Sequence, residues 1–498
     1  TLGKGFESRN ATHQIKKMNR DQLIELRKRL HLEDVIPDQA LEADEPPFYR
    51  PPSGSPEHEY LMNRRRALDG FVPRRTTEAR RPLTLPTDEP FEQLSEGSGT
   101  QAVSTTMAFT RLLRDLMRDP DFGPRVVPIV PDEARTFGMD SMFREFKIYA
   151  NEGQLYEPVD HELLLSYSEG KDGQILEEGI TEAGSLASFT AAGTSYATQG
   201  VPMVPFYTFY SMFGFQRVGD LIWAATDARV RGFLLGATAG RTTLQGEGLQ
   251  HQDGHSLLLA SSVPTCEAYD PAFAYELAIL IRDGLHRMYG DGEDVFYYLT
   301  LYNENYVMPA APDGVADGVI EGLYRWRPAP SEPAIRATLL FSGAVWVCAE
   351  EAARELAEHW GVALELWSAT SYKRLREDAL SVERWNRLHP DDDQRTPRVT
   401  ELLSEAPGPI VAVTDFMKAI PDQIARWVPG SFLPLGTDGF GRSDARPALR
   451  RHFEIDAAHI VVGVLSQLAA EGSIDRAEVL RAIEHYDIDA DSIDPRLL

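Results

Sequence analysis

Several short runs in this chain set carboxylates, imidazoles and aromatic rings close together. Glu178-Gly179-Ile180-Thr181-Glu182-Ala183-Gly184 places acids among glycines, ahead of a run of small residues. Asp132-Glu133 follows the apolar run 126–130. Glu247, between Gly246 and Gly248, precedes His251, Asp253 and His255. Tyr207, Tyr210, Phe213 and Phe215 make an aromatic run that Gly214 interrupts. A carboxylate or imidazole in a dry pocket can move protons near neutral pH, and flat rings can carry a flat ligand. Plain readings stand beside these. Asp132 or Glu133 fits a helix N-cap, Glu182 an exposed helix position, the aromatics a core, and Glu247 a turn. His251 and His255 have the i,i+4 spacing of a metal pair, but no third ligand stands near, so no metal ligand is assigned.

The elements that would position these residues are legible from periodicity. A helix over 105–118 precedes the strand-like run 126–130, and further short apolar runs fall at 203–209, 232–235 and 295–301. Helical stretches at 219–228 and 272–289 separate them. Fully apolar strands alternating with helices imply an α/β fold with a mostly parallel sheet covered on both faces. Ligands of such sheets sit beyond the carboxyl ends of the strands. A second α/β unit is expected from about 328, with strands at 337–341, 363–367 and 410–413 and helices at 350–360, 457–470 and 476–485. Ahead of both lies a different region. A helix over 20–30 leads into a proline-rich stretch from Pro37 to Pro90, read as a long surface connector.

The 498 residues carry a formal charge of −26, which argues against nucleic acid or an anionic membrane as partner. No signal peptide or apolar run of about twenty residues stands out, and a cytoplasmic protein is expected. Cys266 and Cys348 read as reduced core thiols. The chain opens on Thr1, so a preceding segment is expected.

Five stretches, "PDEARTFGMDSMF", "GQILEEGITEAGS", "FYTFYSMFGFQRVGDLIWAA", "GRTTLQGEGLQHQDGHS" and "LPLGTDGFGRSDARPALRRHFEIDA", together resemble the homodimeric pyruvate dehydrogenase family, the decarboxylating first component. The resemblance covers nearly the whole chain. It implies the thiamine-diphosphate-binding fold of the transketolase group. Residues 1–95 would be an active-site loop and connector, 96–327 a pyrimidine-binding domain, and 328–498 a transketolase-type C-terminal domain. The family's diphosphate domain, with its "GDG…N" magnesium site, is expected outside this chain. Gly290-Asp291-Gly292, followed by Asn303 and Asn305, has too short a spacing for that site and reads as a surface turn.

By the same resemblance the cofactors are thiamine diphosphate and Mg²⁺, the latter held by the absent domain. Glu182 matches the glutamate on the pyrimidine ring nitrogen, and Phe213 matches the aromatic packed on that ring, with Tyr210 beside it. Glu133 matches the carboxylate facing the cofactor's amino group. Glu247 and His251 match polar residues at the substrate end, beside a departure at Gln252 that could alter substrate choice. His13 matches a histidine on a closing loop that assists acyl transfer, and 152–168 a second loop. The implied activity is decarboxylation of pyruvate, with transfer to the lipoyl group of a dihydrolipoyl acyltransferase. A homodimer is one assembly. The other is a split enzyme whose separate diphosphate-domain subunit pairs with this chain as a heterotetramer, acting on another 2-oxo acid or a carbon acceptor. A non-catalytic fragment is the remaining reading.

Overall fold

The computed structural model describes residues 9–10, 17–43, 45, 47–68, 70–71, 78–131, 134–159 and 167–498. The chain divides into two compact units, Thr1–Arg75 and Thr76–Leu498. His13, Glu133 and positions 160–166 of the expected second loop lie outside the described residues.

The first unit is more helical than its prolines imply. Helix Arg20–Arg29 begins at Asn19, which forms a reciprocal capping box with Gln22. A second helix, Pro56–Ala67, runs through the stretch expected to be connector. Its proline falls in the first turn, where no intrahelical N–H is needed, and Ser55 caps it.

The second unit holds two sheets. The first has six parallel strands in the order Leu176–Glu177, Val126–Val130, Val204–Phe209, Phe233–Ala237, Phe296–Leu301, Cys266–Tyr269. Every residue of the Val204–Phe209, Phe233–Ala237 and Phe296–Leu301 strands is buried, as a sheet covered on both faces requires. After Val126–Val130 the chain moves outward to Leu176–Glu177, then returns through helix Glu182–Gly193 to Val204–Phe209 on the other side. That reversal opens a crevice at the strands' carboxyl ends, the usual ligand position in such sheets.

The second sheet orders Tyr324–Arg327, Val362–Ser368, Ile335–Phe341, Ile410–Val413, Phe432–Leu435. Its first strand is antiparallel and the other pairings are parallel. Tyr324–Arg327 joins this sheet although it precedes 328, the start expected from sequence. Both cysteines are free and buried. The Gly290–Glu293 segment is an exposed turn ahead of the Phe296–Leu301 strand.

Residues 446–470 are together long and apolar enough to cross a membrane by composition, which the sequence reading did not anticipate. The stretch is two helices, Arg446–His452 and Ala457–Ala470. Glu454 breaks it with a left-handed φ of 60°, and the second helix buries Ile460, Val461, Val464, Leu465 and Leu468.

Two buried carboxylates tie the sheets together. Asp270, at the end of Cys266–Tyr269, accepts from Thr300 Oγ1 at 2.6 Å, Tyr302 OH at 2.5 Å and, across the junction, Ser342 Oγ at 2.6 Å. Glu276 accepts from Tyr324 OH and Ser368 Oγ, both at 2.6 Å, and from the Ala272 and Phe273 amides. Burial pushes both acids above the usual carboxylate range, against the pull of these donors. Asp270→Ala would remove the acceptor that three buried hydroxyls share, leaving Ser342 and Thr300 only longer bonds to Thr414 Oγ1 and Tyr269 O, so urea unfolding should show a loss of about 1–3 kcal/mol. A change under about 1 kcal/mol would mean the junction does not rely on this acid.

Candidate active site

The crevice gathers what the sequence scattered. Thr181 caps helix Glu182–Gly193, its Oγ1 accepting from Gly184 N at 3.2 Å. Glu182 is thereby fixed at the first helical position, and its side chain is only 9% exposed. It is a buried acid, and the reading of an exposed helix residue falls. The helix N-terminus itself favours a carboxylate.

Tyr210 leaves the end of strand Val204–Phe209, followed by the turn Ser211–Phe213. Gly214 must be glycine here, because a Cβ would stand 2.1 Å from the Phe209 ring. That close approach turns the chain directly into helix Phe215–Asp227 and points Arg217 back over Phe213. The Arg217 guanidinium lies 3.7 Å from the Phe213 ring centroid, and its Nη1 donates to Glu182 Oε1 at 2.9 Å.

His251 packs against the same aromatics, with ring centroids 4.8 Å from Tyr210 and 5.2 Å from Phe213. Its Nδ1 stands 3.3 Å from Glu247 Oε2, near enough for attraction but not aligned as a hydrogen bond. Glu182, Tyr210, Phe213, Glu247 and His251 therefore form one group. His255 sits apart from a metal pairing, with Nε2 2.7 Å from Gln216 Oε1. Among the described residues no group of three or more His, Cys, Asp or Glu is placed to hold a metal ion.

The loop carrying Glu247 and His251 is braced by the second sheet. Gly240 has φ +80°, and a Cβ there would meet Asp415 Oδ2 at 2.1 Å. The carboxylate of Asp415 accepts from Thr242 N at 3.1 and 3.2 Å. Gln252 is 1% exposed, donates to Leu244 O at 2.9 Å and accepts from Arg442 N at 2.8 Å. Both polar ends of its side chain hold two loops together. Arg446 Nε adds a bond to Thr243 O at 2.9 Å.

A cavity of about 540 Å³ opens beside Phe213, lined also by Arg217, Arg241, Gln252, His255 and Phe440. A planar, N–H-bearing group already stacks on Phe213 while donating to Glu182. The pair therefore suits a flat aminoheterocycle in size and polarity. Sequence reasoning missed Arg217, Arg241 and Asp415. None of the three left a local signal, since Phe213 lies in the turn before the helix that carries Arg217.

Residues 84–309 match the family model of the pyruvate dehydrogenase E1 component middle domain, and 322–456 that of the transketolase-like TK C-terminal domain. A pyruvate dehydrogenase E1 component of Mycolicibacterium smegmatis is 54% identical over 493 residues, covering 98% of this chain and 53% of its own length. An Escherichia coli protein of the same name is 45% identical over 498 residues, covering 100% of the chain and 55% of itself. Leishmania mexicana transketolase shares the fold, with a TM-score of 0.56 at 16% identity over 91% of this chain and 55% of that one.

Burial pushes Asp415 up to about 7, while Arg450 and the Thr242 amide pull the other way. An acid raised on folding binds a proton that the unfolded chain has released, so stability falls as pH rises from about 4 to about 7. Melting curves of Asp415→Asn should therefore gain on the unaltered chain between pH 5 and 8. A difference independent of pH would show that Asp415 does not titrate there. The two family matches and the identities over nearly all of the sequence show that the chain carries the middle domain of pyruvate dehydrogenase E1 components and a transketolase-like C-terminal domain, and it spans about half the length of the curated relatives it matches.

Proposed function

We propose that this chain supplies the pyrimidine-binding half of a thiamine diphosphate site that decarboxylates pyruvate and passes the acyl unit to the lipoyl group of a dihydrolipoyl acyltransferase. The observation that carries the reading is the Arg217 guanidinium stacked on Phe213 and bonded to Glu182, a planar cation standing where a flat heterocycle would be held. The relatives' names supply the reaction class.

Thiamine diphosphate, when bound, supplies the acidic ring carbon and the electron sink for the departing carboxylate. The residues of this chain bind, orient and exclude water. Glu182 would hold the pyrimidine ring nitrogen by a charge-assisted hydrogen bond, worth about 1.5–3 kcal/mol. Such a bond biases the ring toward the tautomer able to take a proton. Phe213 would support the ring face with Tyr210 behind it, and Glu133 would face the amino group. Apolar walls also favour loss of carbon dioxide, because charge is neutralised as it leaves.

His251 is suited to the substrate end. Its ring packs on Tyr210 and Phe213, with Glu247 Oε2 3.3 Å from Nδ1. His13, by its match to a loop histidine of the family, would donate the proton required at sulfur during acyl transfer. The diphosphate and Mg²⁺ would be held by a diphosphate-binding domain outside these 498 residues, on the same polypeptide or a partner subunit. The assembly would be a cytoplasmic dimer, with 96–327 as its pyrimidine domain and the remainder to 498 as its C-terminal domain.

In the assembled enzyme, Glu182→Ala should lower turnover about 10²–10⁴-fold. Near-normal turnover would remove the acid from the mechanism. His13→Ala should leave decarboxylation measured with an artificial electron acceptor intact while slowing acetyl transfer to lipoamide. Equal loss in both assays would rule out the loop assignment.

A further inference from the structure

Arg241 is attracted by Asp253, Asp415 and Asp438, yet much of its guanidinium is left without a hydrogen bond. It follows the Phe233–Ala237 strand, lines the 540 Å³ cavity and is only 7% exposed. Its Nε and Nη1 are buried without a hydrogen-bond partner. A guanidinium stays charged at any ordinary pH and cannot escape burial by losing its proton. The acids around it are occupied. Asp253 Oδ1 accepts from the His255 and Ser256 amides, both at 2.9 Å. Asp415 accepts from Thr242, and Asp438 accepts from the Lys418 amide at 3.1 Å. Asp253 Oδ2 alone is buried and unpartnered.

The cavity is electrostatically unlike its chain. The protein carries a formal charge of −26, yet the only lining residues with a formal charge, among those described, are Arg217 and Arg241. Arg217 is committed to Glu182, which leaves Arg241 with free donors. Gly254 explains how the guanidinium gets there. A Cβ at that position would meet Arg241 Nε at 2.1 Å and Cζ at 2.6 Å, so the glycine leaves a slot for the side chain.

We propose that Arg241 is an anion subsite of this cavity, its guanidinium taking the carboxylate of a small organic acid. The identity of that acid as a 2-oxo acid rests on the function proposed above; the anion subsite does not. A buried guanidinium stabilises the charge that decarboxylation removes, so this contact belongs to the arriving acid rather than to the transition state. Its loss should appear in KM more than in kcat. The competing arrangement is a water bridging Arg241 to Asp253 Oδ2, with no place for an acid.

The test measures anion binding to the full 498-residue chain by thermal shift, without thiamine diphosphate, using pyruvate, acetate and inorganic phosphate as probes. Pyruvate and acetate should raise the melting temperature saturably, and Arg241→Gln should weaken both at least tenfold. Gly254→Ala keeps the charge but drives the guanidinium from its slot, and should reproduce that loss with an unchanged circular dichroism spectrum. In the assembled enzyme, Arg241→Gln should raise KM for the 2-oxo acid at least tenfold, with a smaller effect on kcat. No saturable shift, or equal shifts in chain and variants, would overturn the subsite. Phosphate binding more tightly than either carboxylate would overturn the assignment to an organic acid. Because the thermal assay omits the cofactor, a failure of the Glu182 role would leave its outcome untouched.

Discussion

A carboxylate buried at the end of a parallel sheet must be met by a cation or by hydrogen-bond donors, since an isolated buried charge is far too costly. In this chain that demand falls on Glu182, and Arg217 meets it from above the Phe213 ring. Much of the first sheet serves this one contact. The reversal after Val126–Val130 opens the crevice, Thr181 fixes the start of the helix, and Gly214 lets the chain turn tightly enough to aim Arg217. Glu182 and Phe213 together present a flat face with a polar edge, and the Arg217 side chain that covers them is 47% exposed.

The second sheet contributes rigidity rather than another centre. Asp270 and Glu276 lock it to the first sheet through buried hydroxyls, and Asp415 and Gln252 hold the loop that brings His251 to the aromatics. Loops that carry chemistry need support of this kind, because small displacements of reacting groups cost large factors in rate. The same bracing places Arg241 in its slot, so one set of contacts positions both the ring seat and the cation across the cavity.

Much of this could be read in advance, for physical reasons. Strands buried on both faces announce themselves as apolar runs, so Val204–Phe209, Phe296–Leu301 and Ile410–Val413 were found with small boundary errors. Short or mixed strands were missed. Leu176–Glu177 has two residues, and Cys266–Tyr269 carries a glutamate that only Arg287 and Arg374 make tolerable. The long helix Tyr372–Leu388 hid behind its charges, and Pro56–Ala67 behind a proline that starts rather than stops it. At the site, Glu182, Phe213, Tyr210, Glu247 and His251 were singled out through motif resemblance, and the fold brings them together. Arg241 and Asp415 were invisible, because what sets them apart is who stands beside them in space.

The central question is whether Glu182 and Phe213 take a flat heterocycle in place of the Arg217 guanidinium. The most direct measurement is a crystal structure of the assembled enzyme with thiamine diphosphate bound. The account predicts the Glu182 carboxylate on the pyrimidine ring, Phe213 against the ring face, and the Arg217 guanidinium displaced from both. A bound cofactor with Arg217 still bridging Glu182 and Phe213 would contradict it.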